Sequence, residues 1–113
     1  MKIDFDLIEE KRVPEFKGGT GTAHLRIYED GTIKVIRGWL EPGSSIGMHT
    51  HEGTSETVYI LGGTGKMICD GAEEPLSAGS CSYCPEGHTH SLVNTGSAPL
   101  EFLGVIPNLA AGA

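Results

Sequence analysis

Near the middle of this chain, His49-Thr50-His51 is followed five positions later by Glu56. Side chains of an extended strand alternate between faces, so His49 and His51 point the same way. Glu56 opens the next β-prone run and can return to the same point. Imidazole nitrogens and a carboxylate are donors that first-row transition metals accept. The chemistry on offer is that of a metal centre, provided other elements supply a frame and a further donor. Taken alone, the two histidines read equally well as solvated loop residues.

The elements available to position them are short and β-prone. Thr22 to Tyr28 alternates, with Ala23, Leu25 and Ile27 on one face and His24 and Arg26 on the other. Asp30-Gly31 is a hairpin signal, and Thr32 to Leu40 is the partner strand. On that strand Lys34 and Arg37 fall on opposite faces, so one of them can point inward and grip an acid. Further strands are expected at Ile46–His51, Glu56–Leu61, Lys66–Cys69, Ser80–Cys84, His88–Asn94 and Pro99–Ile106. The acidic segment from Ala72 to Ala78 contains Pro75 and reads as an edge or a loop. Residues 1–19 leave a helical turn and an extended arm both open, and the end of the chain reads as a frayed tail. Trp39, Tyr59, Tyr83 and Phe102 are expected in the core, although Tyr59 should oppose Glu56 by parity. No stretch has the length of an ordinary helix, so an all-β barrel or sandwich is expected.

The chain has 113 residues and a formal charge of −7, which suits one domain and disfavours nucleic-acid or anionic-membrane partners. No apolar run has transmembrane length, and Met1 to Asp6 lacks the character of a secretory leader. Three cysteines, Cys69, Cys81 and Cys84, are an odd number and fit reduced thiols in the cytoplasm. Cys81 and Cys84 form a lone C-x2-C whose members lie on opposite faces of a strand, and buried, inert thiols are expected. His24 and Arg26 read as a solvated or subunit-contacting face, and His88 as a surface or supporting residue.

A second patterned segment follows the first. Gly43, His49, His51, Glu56 and Gly63 have the form G-x5-H-x-H-x4-E-x6-G, and Gly79, Pro85, Gly87, His90 and Asn94 have the form G-x5-P-x-G-x2-H-x3-N. Together these resemble both signature motifs of the cupin superfamily, with every specified position filled. The resemblance implies a double-stranded β-helix, or jelly-roll, barrel spanning residues 20–107. Residues 1–19 would form an arm at a homodimer interface, and residues 108–113 a tail. It also implies one divalent transition metal (Fe, Mn, Ni, Zn, Co or Cu) held by His49, His51, Glu56 and His90. The motif glycines would serve tight turns with positive φ, and Asn94 would cap a turn without touching the metal.

The superfamily hosts many reactions, so the fold does not name a substrate. The leading expectation is a metal-dependent enzyme acting on a small oxygen-rich molecule such as a carboxylate, diol or enolisable compound. Dioxygenase, isomerase, decarboxylase and lyase chemistry all remain open, and no residue stands out as a general base. The alternative is a non-catalytic module that binds or senses a small ligand. A titratable group within reach of the open metal positions would favour the enzyme, and an apolar lining the binder.

Overall fold

A computed structural model describes residues 1–110. It contains ten strands: β1 (Lys11–Pro14), β2 (Thr22–Glu29), β3 (Ile33–Leu40), β4 (His49–Thr50), β5 (Glu56–Gly62), β6 (Thr64–Cys69), β7 (Ala72–Ser77), β8 (Cys81–Cys84), β9 (Thr89–Asn94) and β10 (Leu100–Pro107). The helical content among the described residues is two short 3-10 turns, Phe5–Leu7 and Phe16–Gly18. The strands form a six-stranded sheet in the order β1-β2-β3-β10-β5-β8 and a four-stranded sheet in the order β4-β9-β6-β7. This is a jelly-roll barrel of the expected all-β class.

The Asp30-Gly31 turn shows how local chemistry sets register. The Asp30 carboxylate accepts from the backbone amides of Thr32 and Ile33 at 2.8 and 2.9 Å. Asx geometry of this kind closes the turn, and it pairs Glu29 with Lys34 and Ala23 with Leu40. Alternation then sends Leu25, Ile36, Leu40, Val58, Ile60, Met67, Leu92, Leu100 and Phe102 into one buried cluster between the sheets. All four motif glycines of the turns, Gly43, Gly63, Gly79 and Gly87, have positive φ. At Gly63 the requirement is twofold, because a Cβ would also collide with the Pro99 carbonyl.

Several expectations need correction. Lys11–Pro14 is an edge strand paired with β2, so the early segment is neither wholly helical nor a free arm. Ala72–Ser77 is regular and pairs with β6 along its length, with Pro75 tolerated because β7 is the outer strand of its sheet. The strand expected over Ile46–His51 shrinks to His49–Thr50, flanked by an isolated bridge at Ser45. The aromatics divide: Phe102 is core, whereas Tyr59 and Tyr83 are 43% and 61% exposed on the outer face. Trp39 also faces outward, stacked on His24 at 3.8 Å and donating to Glu10. A tail frayed from Pro107 onward is not seen in the described part, where Asn108 and Leu109 donate to the Thr32 and Gly53 carbonyls at 2.8 Å each. Residues 111–113 of that expected tail lie outside the described residues.

Asn94 joins the two sheets. Its side chain is fully buried, donates to the carbonyls of Leu40 and Ala98 at 2.9 Å each, and accepts from the Gly96 amide at 2.9 Å. No apolar residue can satisfy these three groups. Asn94→Ala is expected to lower unfolding free energy by about 2–3 kcal/mol in urea titration. A loss below about 0.5 kcal/mol would show that water replaces the amide at little cost.

Candidate metal centre

The four motif donors come from separate places in the chain and meet at one point. β4 pairs antiparallel with β9 so that His49 stands directly opposite His90, on the same face. His51 stays in register by donating its amide to the His88 carbonyl at 3.1 Å, while Gly87 donates to the His51 carbonyl at 2.7 Å. Glu56 arrives from the first position of β5, on the opposing sheet. One nitrogen or oxygen from each of His49, His51, Glu56 and His90 lies within 4.8 Å of all the others. Three of the four residues are buried and His49 is half-buried.

These contacts suit a cation. The Nδ1 of His49 lies 2.7 Å from the Gly47 carbonyl, so it carries the proton and leaves Nε2 as a lone pair. That Nε2 is 3.2 Å from His90 Nε2, which is 3.0 Å from His51 Nε2. Three basic nitrogens facing one another at such distances repel unless protons or a metal ion lie between them. Glu56 Oε1 is 2.9 Å from His90 Nε2 and 3.1 Å from His51 Nε2. Burial raises the Glu56 pKa, but the three imidazoles gathered around the carboxyl outweigh it and hold it below its usual range. Three neutral imidazoles and one carboxylate fit a divalent transition metal with open positions, at a formal charge of +1.

His49, His51 and Glu56 form part of the wall of a cavity of about 360 Å³, with His90 packed behind them against His49 and His51. Leu25, Ile27, Ile36, Ile46, Phe102 and Ile106 supply apolar wall, and Lys17, Lys34 and Glu52 also line it. Of the two cations on β3, Lys34 is the one that faces inward, and Arg37 lies outside, 3.6 Å from Glu101. His88 is exposed and 2.6 Å from Asp70, as a surface residue should be. His24 likewise belongs to the outer face, with its Nε2 2.7 Å from Glu41.

Supporting residues were missed in the sequence. The Gly47 carbonyl orients His49, and the Thr54 hydroxyl sits 3.0 Å from His51 Nδ1. Gly104 makes room for the carboxylate, since a Cβ there would stand 2.8 Å from Glu56 Oε2. A glycine inside the apolar run of β10 is a known sign of close approach, so Gly104 could have been singled out.

With the geometry in view, comparison with known proteins is direct. The family model described as Cupin domain matches residues 39–106. The chain belongs to the cupin family. An oxalate-binding protein of Thermotoga maritima is 41% identical over 112 residues, covering 94% of this chain and 93% of that one. A crystal structure from Thermotoga maritima, described as a predicted oxalate decarboxylase, superposes with a TM-score of 0.90 at 35% identity, covering 96% of this cupin and 100% of that chain. The cupin domain of Schizosaccharomyces pombe Cnp3 superposes with a TM-score of 0.78 at 9% identity over 95% of this chain and 73% of that one, a likeness of fold alone.

The thiols do not form a site of their own. Cys84 is buried opposite Glu56, and burial, with nearby negative charge, pushes its thiol up to about 11. Cys81 is exposed on the outer face, against the expectation of two buried thiols. In the native protein a disulfide reagent should therefore modify Cys81 first and leave Cys84 unmodified until unfolding. Equal native rates in Cys81→Ser and Cys84→Ser variants would contradict this placement.

Proposed function

We propose that this cupin holds one divalent transition metal through His49, His51, Glu56 and His90, and binds a small chelating carboxylate of the oxalate class on it. The observation that carries this reading is the convergence of four donors at one point, three of them on the wall of a partly apolar cavity. When bound, the metal supplies Lewis acidity and open positions for oxygen donors. The chain's own residues do the rest. Thr54 and the Gly47 carbonyl hold the imidazoles, and Gly104 leaves space for Glu56. Leu25, Ile36, Ile46 and Phe102 shed water from one side of the site, so that a polar ligand is held by few, strong contacts. The name of the Thermotoga maritima relative supports the oxalate class.

Holding the ligand is favoured over turning it over. Apart from the donors, the titratable groups on the cavity wall are Lys17, Lys34 and Glu52, all at exposed or half-exposed positions. The enzyme reading rests on Glu52, the carboxyl besides Glu56 on that wall among the described residues. Removal of CO2 from a dicarboxylate requires a proton at the vacated carbon, and Glu52 is the group that could deliver it.

Protein prepared without an affinity tag, stripped and titrated with Mn²⁺, should bind one equivalent, and the loaded form should bind oxalate by calorimetry. His90→Ala and Glu56→Ala should each abolish stoichiometric metal; tight metal retained in both would refute the ligand set. Formate and CO2 should not accumulate from oxalate under air, and sustained release of both, lost in Glu52→Gln, would make the enzyme reading correct.

The remaining readings concern setting. The free cysteines fit a cytoplasmic protein. The outer face of the six-stranded sheet exposes Tyr59, Leu61 and Tyr83, which a second copy would cover. A homodimer involving residues 1–19 is expected, and a monomer mass by sedimentation at micromolar protein would exclude it.

A further inference from the structure

The strap between β1 and β2 is held in a costly backbone conformation beside the cavity. Glu15 and Lys17 both occupy the left-handed region, with φ of 51° and 56°, and Gly18 follows at 79°. Such conformations are strained for non-glycine residues and persist only where surrounding contacts impose them. Those contacts are present. Glu15 donates its amide to Gly21 and Gly47 donates to the Phe16 carbonyl, both at 2.9 Å. Gly47 and Gly19 allow the two segments to touch, because a Cβ on Gly47 would strike the Lys17 carbonyl and one on Gly19 would strike that of Ser45.

The outcome is that Phe16 and Lys17 line the same cavity as His49, His51 and Glu56. The Lys17 ammonium lies 5.7 Å from the centre of the Phe16 ring. Among the described residues no carboxylate lies within ion-pair distance of it; Lys11 and Arg12 also lack one, but Lys17 is the unpaired cation that lines this cavity, since Lys34 is paired with Glu29. Besides Glu56, the other charges on this cavity are Lys34, already paired with Glu29 at 3.5 Å, and the exposed Glu52. Lys17 is thus an uncommitted cation on a pinned backbone, in a chain whose formal charge is −7.

We propose that Lys17 is the specificity-determining residue of this site, reading the charge of a small dicarboxylate through the oxygens left free of the metal. The proposal rests on the carboxylate reading of the cavity. A dicarboxylate that chelates with one oxygen from each carboxylate keeps the other two available for an ammonium. A pinned backbone reduces the ordering cost of that contact.

The test is calorimetry of oxalate binding to the Mn²⁺-loaded wild type, Lys17→Met and Lys17→Arg, at low and high salt. Lys17→Met should weaken oxalate about fivefold and flatten the salt dependence, with Lys17→Arg close to wild type. Mn²⁺ affinity and thermal midpoint should be the same in all three. Equal oxalate affinity in wild type and Lys17→Met would overturn the role of Lys17 while leaving chelation intact. Loss of Mn²⁺ affinity in Lys17→Met would overturn it too, showing the strap to be structural. A wild type that binds Mn²⁺ tightly but not oxalate would bring down the carboxylate reading itself.

Discussion

The rest of the fold depends on keeping one carboxylate and three imidazoles together in a place they would otherwise leave. Their donor atoms lie within 4.8 Å of one another. Lone pairs at that spacing repel, and a buried carboxylate loses the hydration that would stabilise it in water. Hydrogen bonding from the imidazoles compensates Glu56, but only because two sheets fix both sides of the contact. β4 and β9 bring His49 against His90, and β5 carries Glu56 across from the other sheet. Asn94, Gly63 and the apolar cluster around Phe102 matter to the site because they keep those sheets at a fixed separation.

Much of this was readable in the residue order, for identifiable reasons. The period of two exposes alternating faces, so the core positions of β2, β3 and β10 follow from Leu25, Ile36, Leu40 and Phe102. Donor spacing and turn glycines are local features, and they locate His49, His51, Glu56 and His90 before any packing is known. What escaped depends on neighbours distant in sequence. Trp39 looks like core until His24 is seen stacked against it. Tyr59 and Tyr83 are exceptions: strand parity, a local feature, already points them outward, and their aromatic character was a misleading sign of core. The contact between Gly19 and Ser45 has no local signature at either end, and without it the position of Lys17 on the cavity rim could not be anticipated. Pro75 was a sound sign of an edge but a poor sign of irregularity, since an outer strand loses nothing on its solvent side.

The cavity separates two kinds of interaction. Around the donors the wall includes aliphatic and aromatic carbon, where a charge–charge contact is little screened. Toward solvent it carries Lys17, Lys34 and Glu52, where salt weakens any attraction. A strongly bound anion would therefore owe most of its affinity to the inner site and part of its selectivity to the rim. The rim thus carries two ammonium groups and one carboxylate in a chain whose formal charge is −7.

The pairing of His49 with His90 spans 41 residues of chain. A growing polypeptide that has not yet added β9 offers a histidine pair and one acid, a weak and unselective chelator. The full donor set exists only after the long-range strands have closed. Any ion choice at this site would therefore fall to a finished cage of set dimensions, and an ion captured during synthesis would have to survive that closure or be expelled by it.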